Sequence, residues 1–153
     1  MFNSVYPALE ELKQPLTPDQ LNVLRNQLES EEPKPSPQTR FNYAWGLIKS
    51  NSHKQQREGL EILTSLYKTE TSMRREILYY LSLVSFKIGD YTNAKRYIEA
   101  LLKIEPHNSQ ASQLKENIEE KITQEGLIGI GIAGGVLAIG IGLIGALVRK
   151  NRK

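Results

Sequence analysis

The chain has 153 residues, with 20 basic against 17 acidic side chains and no cysteine. The lack of cysteine rules out a disulfide framework and a thiolate metal site, and it suits a reducing cytosol. Four of the basic residues fall in the last five positions, which leaves 16 basic against 17 acidic groups in residues 1–126; the high isoelectric point is therefore no ground for nucleic-acid binding.

The first sixteen residues carry Phe2, Val5, Leu9, Leu12 and Leu16 at spacings of three, four, three and four. Pro7 and Pro15 restrict this arm to a short helix. Glu10 and Glu11, with no arginine nearby, read as neither a signal nor a transit peptide. Helix one is predicted from Thr17-Pro18-Asp19-Gln20, a capping box with proline at the first helical position. Its apolar stripe is Leu21, Leu24 and Leu28. A linker from Ser30 to Gln38, with Pro33, Pro35 and Pro37, ends it.

Helix two is predicted over about 38–50, with Phe41, Ala44, Trp45 and Ile48 on one face. Ser52-His53-Lys54-Gln55 reads as a second capping box opening helix three, which carries Leu60, Leu63, Leu66 and Tyr67. Helix four follows Ser72 and ends at Gly89. Asp90 caps helix five, which stops before Pro106. Asn108 starts helix six, with Ala111, Leu114, Ile118 and Ile122 as its stripe. No segment reads as a strand. Arg74-Arg75 and Glu119-Glu120 read as solvated helix faces.

Residues 75–108 fit a tetratricopeptide repeat. Leu81-Ser82 stands at the repeat's Leu-Gly position. Ala94 is the small residue where the two helices touch, Ile98 fills the aromatic position, and Pro106 terminates. Residues 38–71 fit a degenerate copy, in which Gly59 corresponds to Ala94 and Trp45 to Ser82. Stacked repeats bury each other's faces. The expected fold is all-α: a six-helix tetratricopeptide-like bundle, two helix pairs with capping helices, plus one C-terminal transmembrane helix.

That last helix is Leu127–Val148, 22 residues without a charged or amide side chain. At 1.5 Å per residue it spans ~33 Å, enough for a hydrocarbon core of ~30 Å. Arg149, Lys150, Arg152 and Lys153 would hold its end among lipid phosphates. Such a late span inserts after translation and leaves the preceding domain in the cytosol. The Gly131–Gly135 pair would allow two spans to approach, a route to a homo-oligomer. The expected division is an arm (1–16), a cytosolic helical domain (17–126), an anchor (127–148) and a basic tail (149–153).

Function is expected in the groove lined by the first helix of each pair. On helix four, Glu76, Tyr79, Leu83 and Phe86 form a second stripe beside the core stripe. A helix apolar on two faces must be buried twice or offer one face to a partner. On helix two the matching positions are Asn42, Gly46 and Lys49. Glycine inside a helix costs up to ~1 kcal/mol against alanine, so Gly46 marks a place where something packs close. The arm is a candidate cover for this groove. Catalysis has little support: His53 and His107 stand apart at helix boundaries, and there is no nucleophile elbow, phosphate-cradling loop or metal-loop spacing. No cofactor is expected.

The runs Arg40–Ser50 (RFNYAWGLIKS), Arg74–Leu81 (RREILYYL) and Lys87–Ile98 (KIGDYTNAKRYI), with the glycine-rich anchor and basic tail, resemble the mitochondrial fission 1 family, its fungal branch in particular. The resemblance implies an adaptor on the mitochondrial outer membrane, often also on peroxisomes. It implies that the groove recruits a β-propeller adaptor and through it a dynamin-related GTPase. It further implies Glu76, Leu83 and Phe86 as the main partner contacts, and an arm packed along the groove. The competing reading is a receptor for protein import or chaperone docking at the outer membrane. It lacks the carboxylate clamp of Lys, Asn and Arg that such docking needs: Asn42 and Gly46 stand at the clamp positions of the first copy, and Tyr79 and Tyr80 in the second.

Overall fold

A computed structural model describes residues 9–125 of the chain. In chain order the helices are α1 (Leu9–Leu12), α2 (Pro18–Ser30), α3 (Pro37–Ile48), α4 (His53–Thr69), α5 (Arg74–Ile88), α6 (Tyr91–Ile104) and α7 (Ser109–Glu125). A single 3₁₀ turn, Thr71–Met73, leads into α5. No strand occurs among the described residues.

Most of these helices begin where a side-chain oxygen can take one of the first unpartnered N–H groups. Thr17 accepts from Gln20 N at 3.1 Å, and Gln20 accepts in return from Thr17 N at 2.9 Å. Asp90 accepts from Asn93 N at 3.2 Å, and Asn108 from Ala111 N at 2.9 Å. Ser52 accepts from Gln55 N at 3.3 Å, but its own N–H goes to Ser50 Oγ at 2.9 Å. The expected second capping box is thus only half formed. Helix α3 starts one residue earlier than expected. Ser36 caps it, accepting from Thr39 N at 3.1 Å, and Pro37 takes the first helical position, where no N–H is needed.

The linker between α2 and α3 is closed by Glu31. Its carboxylate accepts from Ser36 N at 2.8 Å, from Gln27 Nε2, and from Thr39 Oγ1 at 2.8 Å. These donors, the Ser36 N–H foremost, hold the carboxyl down from 4.5 to about 2.

The described residues fall into two compact units, 9–80 and 81–125, divided within α5. In the first, α3 packs against both α2 and α4. It buries Phe41, Ala44 and Ile48 as expected, and Tyr43 and Leu47 as well. Tyr43 and Leu47 form a core with Leu21, against which Leu16, Leu24, Leu28 and Ile62 pack. Gly59 of α4 sits at the crossing with α3. A Cβ there would lie 2.5 Å from Ile48 Cγ2 and 3.0 Å from the Ala44 carbonyl oxygen. Arg74, expected on a solvated face, instead ties off α4. Its Nε donates to Tyr67 O at 2.8 Å, and its guanidinium lies 5.0 Å from the centre of the Tyr67 ring. A cation at a helix C-terminus meets orphan carbonyls and the negative end of the macrodipole.

In the second unit α6 packs on α7. Ser82 Oγ donates to the Ala94 carbonyl at 2.8 Å, so the two small residues of the repeat form a bonded helix crossing. Ile98, Leu101, Ala111, Leu114 and Ile118 are buried. The corner between α5 and α6 turns at Gly89, with φ of 97°. Asp90 N donates to Ser85 O at 2.8 Å and Gly89 N to Phe86 O at 3.1 Å, the paired bonds of a Schellman motif. Glu119, expected on a solvated face, pairs at the surface with Lys95 at 3.4 Å.

Among the described residues no helix is long and apolar enough to cross a membrane. The expected span at 127–148 and the tail residues Arg149, Lys150, Arg152 and Lys153 lie outside the described residues.

Candidate partner-binding face

In the first unit, Asn42 is exposed on α3 and accepts from Gln38 Nε2 at 2.9 Å. One turn on, Gly46 is buried. The space beside it is filled from within the chain, because a Cβ there would lie 2.9 Å from Leu24 Cδ1 and 3.1 Å from both Leu16 and Leu21 Cδ1. Gly46 was expected to line a partner's groove. The close approach it permits is instead that of the arm's last leucine and of α2. Lys49 is half-buried, with its ammonium 5.4 Å from the centre of the Trp45 ring, within cation–π range.

On the first turns of α5, Glu76 is exposed and Tyr79 is only 4 % exposed. Tyr80, half-buried, gathers a ring cluster: its centroid is 4.8 Å from Phe41 and 5.2 Å from Trp45, both edge-on. Tyr79 stands 6.1 Å from it at 81°. Edge-to-face geometry brings positive ring edges to negative faces, and each such pair is worth ~0.5–1.5 kcal/mol beyond its burial. This cluster escaped the sequence reading. The signal was present as Phe41 and Trp45, four residues apart on one helix, but their ring partner lies 35 residues further along the chain.

In the second unit, Leu83 is fully buried, and Phe86 is half-buried with its ring 5.4 Å from Tyr91. The expected stripe is therefore uneven. Glu76 presents surface, Phe86 presents part of a ring, and Tyr79 and Leu83 present none. Two apolar faces on α5 signalled either double burial or a face for a partner, and spacing alone did not say which residues the chain itself would close.

Of the arm, Phe2 and Val5 lie outside the described residues, and Leu9 stands in the one-turn helix α1. Leu12 is 2 % exposed, and Leu16 is half-buried against the α2–α3 core. His53 and His107 are exposed. No group of three His, Cys, Asp or Glu among the described residues could hold a metal. The chemistry at hand is that of recognition: exposed amide and carboxylate groups on α3 and α5 beside a rigid aromatic cluster.

Comparison with known proteins agrees with this architecture. The family profile described as Fis1 N-terminal tetratricopeptide repeat matches residues 38–70, and that described as Fis1 C-terminal tetratricopeptide repeat matches 75–127. The chain is 73% identical to the mitochondrial fission 1 protein of Candida albicans, over 98% of its own length and 97% of the relative's. It is similar to yeast Fis1 as solved in complex with an Mdv1 fragment containing N-terminal extension and coiled coil domains. That match has 46% identity and a TM-score of 0.77, covering 80% of this chain and 98% of the solved one. It is also similar to yeast Fis1 complexed with a fragment of yeast Caf4, at 48% identity and a TM-score of 0.61, covering 63% and 99%.

Proposed function

Because the chain belongs to the mitochondrial fission 1 family, we propose that it is a tail-anchored adaptor of organelle fission. The observation that carries this reading is that a relative 46% identical, matched over 98% of the solved chain, was solved in complex with a fragment of another protein, Mdv1. In this reading the span at 127–148 holds the helical domain on the cytosolic side of the mitochondrial outer membrane, and on peroxisomes. The domain then captures a β-propeller fission adaptor, which brings a dynamin-related GTPase. We assign partner contact to Asn42, Lys49 and Glu76 in the first unit and to Phe86 in the second, the positions of the expected stripe that are not buried. Segment-in-groove binding suits a preformed helical repeat, because only the partner has to order. Self-association through the Gly131–Gly135 pair would add avidity.

Burial decides which variants test this. Leu83→Ala would remove a fully buried side chain and cost ~2–5 kcal/mol of stability, so loss of function there would not isolate binding. Asn42→Arg with Glu76→Arg alters two exposed positions. Mitochondrial shape in cells carrying this pair, compared with cells lacking the protein, is the test. Netlike mitochondria in both are expected. Normal mitochondria in the cells without the protein would overturn the fission role. Netlike mitochondria there, but normal shape with the pair, would keep fission and move the binding face elsewhere.

A further inference from the structure

We propose that the cleft between the proline linker and α4 is a second docking site. Its occupant is a partner polypeptide segment with aliphatic side chains between an acidic and a basic one. The cleft has a volume of about 500 Å³, within the range of ordinary ligand pockets. Leu28 and Ile62 and the rings of Pro33, Pro35 and Pro37 give it apolar walls. Proline rings present apolar surface without an N–H to satisfy, and they lose little freedom when covered. The Glu31 hydrogen bonds to Ser36 and Thr39 hold the linker in shape, so a ligand meets a wall already formed.

The charges in the cleft choose the occupant. Arg40 is half-buried, and it bonds to a neutral group: Nη2 donates to Ser65 Oγ at 3.0 Å. No carboxylate among the described residues lies within 4.0 Å of its guanidinium. Glu70 lines the same cleft, and no cation among the described residues lies within that distance of it. A half-buried guanidinium gains most from a carboxylate that it can grip with two parallel N–H donors. A bare anion would also meet the Glu70 carboxylate, whereas a segment with one charge of each sign satisfies both groups. Glu32 and Lys34, both exposed, line the same cleft, so it carries two groups of each sign, more than one free amino acid can pair. This favours a polypeptide over a free amino acid.

The test uses the full chain in detergent micelles, with methyl and arginine side-chain signals followed by NMR. The probe is the peptide Ac-Glu-Leu-Leu-Lys-NH2. Saturable shifts at the Ile62 methyl and the Arg40 Nε–H are expected. Binding should weaken about tenfold or more for Ac-Gln-Leu-Leu-Gln-NH2 and for Arg40→Gln, tenfold being about 1.4 kcal/mol. Arg40→Gln also removes the Ser65 bond, so Glu70→Gln serves as the second variant. It leaves that bond in place and should weaken the Lys-ended probe but not Ac-Glu-Leu-Leu-Gln-NH2. Absence of saturable shifts up to roughly 10 mM would overturn the site. Binding of the Lys-ended probe as tight in both variants as in the parent would overturn the charge assignment. Saturation by free leucine at the same concentration would make it a small-molecule pocket and overturn the polypeptide occupant.

Discussion

Gly46 and Gly59 are both buried in helices, yet a methyl group would meet different obstacles at each. At Gly59 it would press on Ile48 Cγ2, a stiff β-branched side chain, and on the Ala44 backbone oxygen. At Gly46 it would meet the far ends of three leucines, which can rotate aside. Gly59→Ala should therefore destabilise by ~1–3 kcal/mol through overpacking, against a helix-propensity gain of up to ~1 kcal/mol. Gly46→Ala should stay within about 1 kcal/mol of the parent. Urea unfolding of the two variants side by side checks this, and equal losses would refute it. Glu31 gives a second residue-scale prediction. Its pKa is lowered on folding, so its contribution is present above its ordinary 4.5 and is lost as pH falls toward about 2. Glu31→Gln should be less stable than the parent at neutral pH. It should also lose less than the parent on acidification through that window, as read from melting temperatures at stepped pH. The repeat pattern in the sequence named Gly59 and Gly46 as special. It could not name Glu31, because its donors come from the linker's own fold.

The corner between α5 and α6 sets the geometry of the second helix pair. Gly89 adopts a left-handed conformation and Asp90 caps the next helix. A left-handed alanine costs ~1–2 kcal/mol, so Gly89→Ala should lower stability by about that amount, although open space surrounds the position. Asp90 is buried, and its burial raises its carboxyl pKa despite the Asn93 hydrogen bonds and the nearby Arg96 charge. Asparagine keeps the capping oxygen without the charge. Asp90→Asn should thus be close to the parent, while Asp90→Ala should lose ~0.5–2 kcal/mol with the cap. Thermal melts of the three proteins rank them, and a ranking with Asn below Ala would overturn this account of the cap. Sequence patterning identified this corner well, since Gly-Asp between two amphipathic runs is a local signal. It failed at Arg74, which reads as one of two exposed arginines but bonds to carbonyls of the preceding helix.

For the whole molecule, the anchor, the helical domain and the partner face make one functional reading. The anchor prediction is the simplest to check. Chain truncated after residue 126 should be recovered in the soluble fraction of lysed cells, and full-length chain in the membrane fraction after carbonate washing. Full-length chain in the soluble fraction would refute the anchor. Truncated chain should still fold, because the two described units hold their own cores.

The six helices after residue 17, most of their caps, the repeat and the family were legible in the sequence. They depend on short-range periodicity, on capping chemistry within four residues, and on motif runs. The tertiary structure alone decided which apolar face stays open. Tyr79, Leu83 and Phe86 share one spacing, but the first two are buried and the third is half-buried. Gly46 reads as a place where a partner packs close, and Leu16, Leu21 and Leu24 pack there instead. Burial depends on what arrives from distant parts of the chain, and helical periodicity records only that a face is apolar, not what covers it.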